Sequence, residues 1–245
     1  MIVGFVGSGS MAAAMARGWD GEFDSMLFSD SGSGRAGALA EELGGEVAAN
    51  TEIAARADFV VVAVKPAKLD EVAPDLQAAK RVVSILAAVP LARLQTAFPG
   101  AEVLRVMPNV GVEVRKGVMC VVGEASAQTR GMLDLLGYVA ELPDGDFDEA
   151  TAIMGCAPAY LALAVEALAD AGAAAGLDEE LARDLVIETT AGTAELLRVR
   201  HPADVRKAVA SPGGSTEAGL EALDREGAAQ AFAAAVEASL ERMRG

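Results

Sequence analysis

Short apolar runs alternate with helical periods through the first part of the chain. The runs are rich in β-branched residues, as buried parallel strands require, and Asp58–Val64 is the strongest of them. The alternation predicts an α/β domain with a mostly parallel sheet and helices on both faces. The predicted strands are Ile2–Val6, Met26–Phe28, Val47, Asp58–Val64, Arg81–Ile85, Glu102–Met107, Val118–Val122 and Val139–Leu142; the predicted helices begin at Met11 and cover 35–43, Thr51–Arg56, Leu69–Ala79, Leu91–Phe98 and Ala127–Leu136.

Beyond Asp146 the chain shows only helical periods, and Asp178 is a natural N-cap for one of them. We therefore predict two domains, a Rossmann-type α/β domain over residues 1–145 and an all-helical domain over 146–245. The predicted helical segments are Phe147–Ala174 with a break near Gly155–Pro158, Glu179–Val199, a short helix after His201–Pro202, and the chain that follows Ser211–Thr216.

The helical stretches 157–175 and 181–197 are apolar on more faces than a lone surface helix would be. Burial in a helix bundle and burial in a subunit interface both explain this. Hydrophobic residues make up 52% of the 245 residues and aromatic residues only 4%, so the helices are expected to pack closely. No uninterrupted apolar run of about 18 residues is found, and no export signal, so we expect no membrane span and a cytoplasmic protein.

Charge and residue usage argue against several classes of function. The formal net charge of −16 disfavours a nucleic-acid partner. One histidine and two distant cysteines, Cys120 and Cys156, make a metal site or a disulfide framework improbable. No Ser/His/Asp set or Cys/His pair supports hydrolysis. A bound cofactor is therefore expected to carry the chemistry, as in hydride transfer to a C=N or C=O bond.

A glycine turn, Gly7-Ser8-Gly9, joins the first predicted strand to the first helix. Gly7 permits a tight turn, Gly9 lets a pyrophosphate approach the backbone, and Ala12 takes the helix-packing position of a G-x-G-x-x-A motif. The helix N-terminus, at Ser10 and Met11, offers N–H groups to the phosphates. The segment predicts the first half of a dinucleotide-binding unit; the alternative is a glycine-rich turn that binds no nucleotide.

The end of the second strand carries conflicting signals about the cofactor. Asp30 lies about twenty residues beyond the glycine turn, where an acidic residue binds the ribose hydroxyls of NAD. Ser31, Ser33 and Arg35 follow and could hold the 2′-phosphate of NADP. A third interpretation makes Asp30 a helix cap or turn residue. We therefore predict NADP or NAD, without choosing between them.

Other strand ends add to this site, because ligands of open parallel sheets bind at the carboxyl ends of the strands. Ala63, Val64, Lys65 and Pro66 are expected to line the cofactor. Lys65 could approach a phosphate or a ribose, or lie in solvent.

A second informative stretch, SPGGSTEAG, covers Ser211–Gly219. Gly213 and Gly214 expose backbone N–H groups, and Ser215 and Thr216 supply hydroxyls beside a helix start, which suits a bound carboxylate. The alternative is a helix–helix loop capped by Ser215 or Thr216.

Together these motifs resemble the pyrroline-5-carboxylate reductase family over nearly the full length of the chain. SPGGST followed by a glycine, placed behind MPN and APAY, is the most specific feature. The matching segments are GFVGSGSMAAAMARG at 4–18, AVKP at 63–66, RVMPN at 105–109, GCAPAYLALAVEAL at 155–168, GL at 176–177, TTAGTAELL at 189–197, HP at 201–202, SPGGSTEAGLEAL at 211–223 and AVEASLERMR at 235–244.

The resemblance implies reduction of 1-pyrroline-5-carboxylate to L-proline with NADPH or NADH. It implies a Rossmann domain and a helical domain that intertwines with a partner's in a homodimer, which in this family often assembles further. It also implies that Gly213, Gly214, Ser215 and Thr216, from the other subunit, hold the substrate carboxylate. Thr216 would orient the ring or help to deliver a proton. The resemblance places Met107, Pro108 and Asn109 beside the nicotinamide.

The chain departs from the family pattern in two places. Val110-Gly111 stand where the family has Thr-Pro, and Met154, Cys156 and Ala157 replace residues of SGSGPAY. Two other interpretations follow, namely a reductase of a related cyclic imine or small keto compound, and an NAD(P)-binding accessory protein that is catalytically weak. A β-hydroxyacid dehydrogenase relative is disfavoured, because that group relies on a lysine in its helical domain and here only Lys207 follows Lys116.

Overall fold

The computed structural model describes residues 1–244 and divides into two compact units. The first spans Met1–Cys156, and the second begins at Ala157. The first unit therefore extends past the domain boundary predicted at residue 145.

Eight strands form one sheet in the order β3-β2-β1-β4-β5-β6-β7-β8. Strands β1 to β6 are parallel, β7 is antiparallel to β6, and β8 is parallel to β7. This confirms the predicted fold class. The strands are β1 (Ile2–Val6), β2 (Ser25–Ser29), β3 (Glu46–Val47), β4 (Phe59–Val62), β5 (Arg81–Ser84), β6 (Glu102–Pro108), β7 (Gly117–Val122) and β8 (Gly137–Glu141).

The helices follow the predicted segments with one exception. The predicted helix Leu69–Ala79 is a single α-helical turn flanked by two 3-10 turns, Pro66–Lys68 and Ala73–Leu76, because Pro74 has no N–H to continue the α-helical ladder. The helices are α1 (Ser10–Gly18), α2 (Arg35–Leu43), α3 (Asn50–Arg56), α4 (Leu69–Val72), α5 (Leu91–Ala97), α6 (Ala127–Asp134), α7 (Phe147–Met154), α8 (Ala157–Ala174), α9 (Glu179–Leu197), α10 (Pro202–Val209), α11 (Ser215–Arg225) and α12 (Ala228–Arg244).

The sheet is covered on both faces, which explains why its strands are apolar throughout. One face packs against α1, α2 and α6, where Phe5 stacks on Phe28 with the ring centroids 5.3 Å apart and Trp19 is fully buried. The other face packs against α3, α4 and α5, around Ile53 and Leu94. Neighbouring strands end in register, with Val6 opposite both Ser29 and Val62, so the carboxyl ends of β1, β2 and β4 meet at one edge.

Helix α7 belongs to the first unit because its apolar face packs on β7. Phe147 and Ala152 are buried, and the guanidinium of Arg105 lies 3.6 Å from the centre of the Phe147 ring. Arg105, itself buried in β6, also pairs with Asp144 at 2.6 Å. A cation–π contact and an ion pair of low exposure thus hold the start of α7 to the sheet.

The second unit buries little of its own apolar surface. Helices α8 and α9 pack along each other, and Ala169 of α8 and Ala182 of α9 are buried. The Tyr160 hydroxyl lies 2.6 Å from the Ser239 hydroxyl and links α8 to α12. The predicted N-cap is confirmed, since the Asp178 carboxylate accepts N–H bonds from the first turn of α9. Large apolar side chains remain exposed, among them Leu161, Leu163, Leu168, Leu181, Leu185, Ile187 and Phe232.

Within one chain, the predicted helix bundle does not cover these apolar faces, which leaves the predicted subunit interface as their explanation. By length and composition, the segment Asp144–Ala174 could also cross a membrane. The helix is interrupted there at Gly155-Cys156, between α7 and α8.

The C-terminal end of α1 contacts a neighbouring segment so closely that only a glycine fits there. A Cβ on Gly18 would lie 2.1 Å from the carbonyl oxygen of Val112, and Val112 is fully buried in the 3-10 turn Val110–Val114. Arg115 donates to the Gly18 carbonyl at 2.7 Å and so holds the two segments together. Neither the backbone at Gly18 nor that at Val112 can shift without a cost in folding free energy.

We predict that Gly18→Ala destabilises the first unit by about 1–3 kcal/mol, as overpacking does. The matched control is Gly131→Ala in α6, where an added Cβ meets no atom within 4 Å. Ala is the better helix former, so this variant gains about 0.5–1 kcal/mol. Urea unfolding followed by circular dichroism at one fixed protein concentration measures both changes. Equal effects of the two substitutions would contradict the packing described for Gly18.

Candidate functional site

The turn between β1 and α1 has no room for a side chain at its first glycine. Gly7 has φ +96°, and a Cβ there would lie 2.7 Å from the Ala63 carbonyl group. The Ser29 carbonyl accepts hydrogen bonds from the Gly7 N–H at 3.1 Å and the Ser8 hydroxyl at 3.0 Å. Ala12 is fully buried in the core beside this turn. The path of the turn is therefore fixed by Ser29 at the end of β2 and by the chain that follows β4.

The second glycine faces open space. Gly9 is the N-cap of α1, no side chain caps the helix there, and a Cβ on Gly9 would meet no atom within 4 Å. The N–H groups of Ser10 and Met11 are at the first turn of the helix, which cannot bond them internally. Free N–H groups at a helix N-terminus with open space beside them fit a diphosphate.

A cavity of about 550 Å³ lies beside this turn. At one side of it Arg17 pairs with Glu42 at 2.6 Å and with Glu113 at 3.2 Å. Arg35 also lines the cavity, and within residues 1–244 its guanidinium forms no ion pair. The cavity therefore offers one arginine whose charge is free for a ligand. Its lining residues include Ser8, Gly9, Ser10, Met11, Arg17, Arg35, Leu39, Val110 and Glu113.

The Asp30 side chain forms its hydrogen bonds with its own loop and with the first turn of α2. Its carboxylate accepts hydrogen bonds from the Gly32 N–H at 2.7 Å, the Ser33 hydroxyl at 2.8 Å and the Ala36 N–H at 2.9 Å. These donors, with the Ala36 N–H the largest contributor, lower the pKa of Asp30 to about 2. The Asp30 carboxylate thus has the turn and helix-start role that the sequence offered as one interpretation, and its binding to a ribose stays a prediction. Ser31 is exposed in the same loop.

The segment after β4 lies against the glycine turn. The Ala63 N–H donates to the Val6 carbonyl at 2.8 Å, and Ala63 and Val64 provide the backbone atoms that leave no space at Gly7. Lys65 is exposed and, within the described part of the chain, forms no ion pair. Pro66 begins the next 3-10 turn. Ala63 and Val64 are thus placed beside the turn, and the Lys65 ammonium is free to contact an anion.

Asn109 connects three segments through its side-chain amide. Its Oδ1 accepts from the Gly111 N–H at 3.2 Å and the Val118 N–H at 3.1 Å, and its Nδ2 donates to the Met154 carbonyl at 3.1 Å. The amide therefore fixes the turn after β6, the start of β7 and the end of α7. Sequence reasoning placed Asn109 beside the cofactor and missed this role, although an Asn before a turn is a recognised N-cap signal.

The two departures from the family pattern lie in these anchored segments. Val110 is 57% exposed and lines the cavity beside the glycine turn. Met154 packs with Met107, Cys120 and Phe147 in a small apolar cluster. Burial raises the pKa of the Cys120 thiol, which keeps this residue a neutral core group. Val110 and Met154 place apolar side chains at these two positions.

In the second unit, the SPGGST loop leads into α11 through Gly214, which is its N-cap. Gly213 has φ +72°, and the Gly214 N–H donates back to the Ser211 carbonyl at 2.9 Å. Neither Ser215 nor Thr216 caps the helix, so the predicted capping alternative is absent. Both side chains are exposed, and within residues 1–244 their hydroxyls bond to no other group.

Sequence reasoning missed one further residue in this loop. The Glu217 carboxylate accepts a hydrogen bond from the Gly213 N–H at 2.6 Å. An acidic residue in the first turn of a helix can reach back to N–H groups at the helix start, which is the signal that could have found it. Among the described residues, no group of three His, Cys, Asp or Glu side chains could hold a metal ion.

Two family models match the chain. The model for pyrroline-5-carboxylate reductase dimerisation matches residues 144–245, and a model described as NADP oxidoreductase, coenzyme F420-dependent, matches residues 2–88. Both matches agree with the fold found in those segments, and together they leave out residues 89–143.

Curated relatives and solved structures bear the same name. The pyrroline-5-carboxylate reductase of Synechocystis sp. is 37% identical over 79% of this chain and 76% of its own. The crystal structure of 1-pyrroline-5-carboxylate reductase from Streptococcus pyogenes is 29% identical, covers 99% of this chain and 98% of its own, and superposes with a TM-score of 0.88.

A third match contains a nucleotide. The pyrroline carboxylate reductase of Plasmodium falciparum with NADP bound is 27% identical, with a TM-score of 0.84 over 99% of this chain and 97% of its own. The open helix N-terminus at Gly9, the SPGGST loop and the identity to the Synechocystis enzyme lead to one conclusion: the chain belongs to the pyrroline-5-carboxylate reductase family.

Proposed function

We propose that this protein reduces 1-pyrroline-5-carboxylate to L-proline with NADPH as the reductant. The observation that carries the proposal is the SPGGST loop of a family member whose Ser215 and Thr216 hydroxyls are left free beside a helix N-terminus. A carboxylate bound there would be stabilised by backbone N–H groups and the helix dipole. The ring would then be held by its carboxylate, which is attached to the carbon on the other side of the imine nitrogen from the carbon that accepts the hydride.

The residues of the first unit fit a dinucleotide, because a side chain at Gly9 would fill the space that its diphosphate needs. Gly7 and Ser8 fix the turn, and the N–H groups of Ser10 and Met11 would bind the phosphates. A reduced nicotinamide, when bound, supplies the hydride. The chain's own residues would orient the two reactants and exclude water. Met107 and Pro108 would lie near the reacting ring.

The reaction requires few further groups from the protein. A hydride adds to the imine carbon, which becomes C5 of proline, and the C=N π electrons form the new N–H bond with one proton taken up at nitrogen. We propose that Thr216 hydrogen-bonds near this nitrogen and orients it for protonation. No charged acid is needed for such a step, which fits a loop whose hydroxyls are neutral.

NADP is the cofactor that the first unit fits better than NAD. The Asp30 carboxylate is already filled by donors of its own loop, so it has little capacity left for ribose hydroxyls. Arg35 lies at the start of α2 with a free guanidinium, a group well suited to a phosphate. The NADP-bound relative from Plasmodium falciparum supports the same choice.

We also propose that the protein works as a homodimer, and that dimers can assemble further. The exposed apolar faces of α8 and α9 support this, as does the match of 144–245 to a dimerisation family. The cytoplasmic location and the absence of a nucleic-acid or membrane partner stay predictions from the sequence.

A second candidate is a reductase of a related ring. The apolar Met154 and the Cys156 that stand in place of the family's small and hydroxyl residues favour it. Rates are therefore also measured with the six-membered homologue of the substrate, 1-piperideine-6-carboxylate. A larger kcat/KM for that ring than for 1-pyrroline-5-carboxylate would replace the first proposal by the second.

Thr216→Ala is expected to lower kcat/KM for 1-pyrroline-5-carboxylate by about tenfold, the effect of one lost hydrogen bond. NADPH binding should be unchanged, because Thr216 is given no part in it. Loss of absorbance at the nicotinamide band measures the rate, and quenching of nicotinamide fluorescence measures binding.

Thr96→Ala in α5 is the matched control for Thr216→Ala, since its hydroxyl bonds only to the Ala92 carbonyl of its own helix. An unaltered rate in Thr216→Ala would reject the role given to Thr216. A wild-type protein that binds NADPH and reduces neither ring would instead favour the accessory protein.

Arg35→Ala is expected to raise the Kd for NADPH by about tenfold or more, because a charge-assisted contact to the 2′-phosphate is lost. The Kd for NADH should stay the same. Arg130→Ala is the control, since Arg130 pairs with Asp134 on an exposed face of α6. Equal weakening of both nucleotides by Arg35→Ala would contradict a 2′-phosphate site at this arginine.

A further inference from the structure

The SPGGST loop already holds a carboxylate of its own. Glu217, half-buried in the first turn of α11, accepts the Gly213 N–H at 2.6 Å. The Gly214 N–H is taken by the Ser211 carbonyl. The N–H groups that remain for a ligand are therefore those of the first helical residues, directly beside the Glu217 carboxylate.

We propose that Glu217 is an internal competitor of the substrate carboxylate. It occupies the loop when the loop is empty, and it leaves the Gly213 N–H when the ring carboxylate of substrate or product binds. This inference rests on the proposed function, since it assigns Glu217 a role at the same loop.

The physical reason is the repulsion between two carboxylates at one small site. A single helix N-terminus with a few N–H groups stabilises one negative charge well. A second carboxylate must either share these donors or displace the first, and both cost binding free energy. Glu217 would thus weaken the binding of substrate and of product, and it would ease product release.

A purely structural role makes a different prediction. As a helix cap, Glu217 would only hold the loop in shape, and its loss would weaken every ligand of the loop. Glu217→Gln separates the two roles, because its amide oxygen can accept the same Gly213 N–H while the negative charge is gone. Glu217→Ala removes both the charge and the cap.

The control is Glu221→Gln. Glu221 lies one turn further along α11, is exposed, and carries the same charge. A general effect of the protein's negative charge would appear in this variant as well.

The experiment measures KM for 1-pyrroline-5-carboxylate with saturating NADPH, and Kd for L-proline by calorimetry in the presence of NADP⁺. Glu217→Gln is expected to lower both constants by about tenfold with no fall in kcat. Glu221→Gln should stay within about twofold of the wild type. The same variants are tested with 1-pyrroline, which has no carboxylate, and its KM should not fall in Glu217→Gln.

Three outcomes would overturn the inference. Unchanged or raised KM and Kd in Glu217→Gln would leave Glu217 with a cap role or a binding role only. A fall in KM for 1-pyrroline equal to that for the carboxylate substrate would show a change of loop shape. A wild-type protein that neither reduces the ring nor binds L-proline would reject the proposed function as well, which separates the two failures.

Discussion

The close approach of the turn after β1 to the chain after β4 is the constraint on which the nucleotide site depends. At Gly7 the Ala63 carbonyl leaves no space for a side chain, and the Ser29 carbonyl binds the turn from the other side. The ends of β1, β2 and β4 are thereby locked together. Only with that geometry does α1 begin at the sheet edge with its N–H groups facing open space.

The other elements of the first unit secure this edge rather than add chemistry. Asn109 and Arg115 fix the segment after β6, one at the end of α7 and the other at the end of α1. Arg105 holds α7 through Phe147 and Asp144. In the second unit the apolar faces are left for a partner, and the loop before α11 leaves its hydroxyls free. The two units therefore serve mainly to bind and orient ligands. Few catalytic side chains are required, since the cofactor supplies the hydride.

The fold could be predicted from the sequence because each helix and strand has a local pattern of residues that indicates it. Apolar runs gave the strands, helical periods gave the helices, and Asp178 marked a helix start that the structure contains. The reversed direction of β7 was not predicted, although only residues 109–116 separate it from β6, too few for the crossover helix that a parallel strand needs. Pro74 likewise shortened a predicted helix through a rule that applies to any sequence.

The candidate site could be predicted less completely. Motif spacing located Gly7, Gly9 and the SPGGST loop, yet it could not assign the partners of polar side chains. Asp30 has the spacing of a ribose ligand, yet its carboxylate also accepts hydrogen bonds from its own loop and from the Ala36 N–H, which the spacing did not indicate. The role of Glu217 depends on which N–H of the loop points back at it. Such choices among neighbouring donors are settled by loop geometry, which residue type and spacing do not specify.

The most direct test measures whether the hydride passes from the nicotinamide to the ring. The protein is incubated with 1-pyrroline-5-carboxylate and NADPH in which both hydrogens at C4 of the nicotinamide are replaced by deuterium, and the product is examined by mass spectrometry and NMR. We expect L-proline with one deuterium at C5. Proline without the label, a label at another carbon, or no proline at all would contradict it.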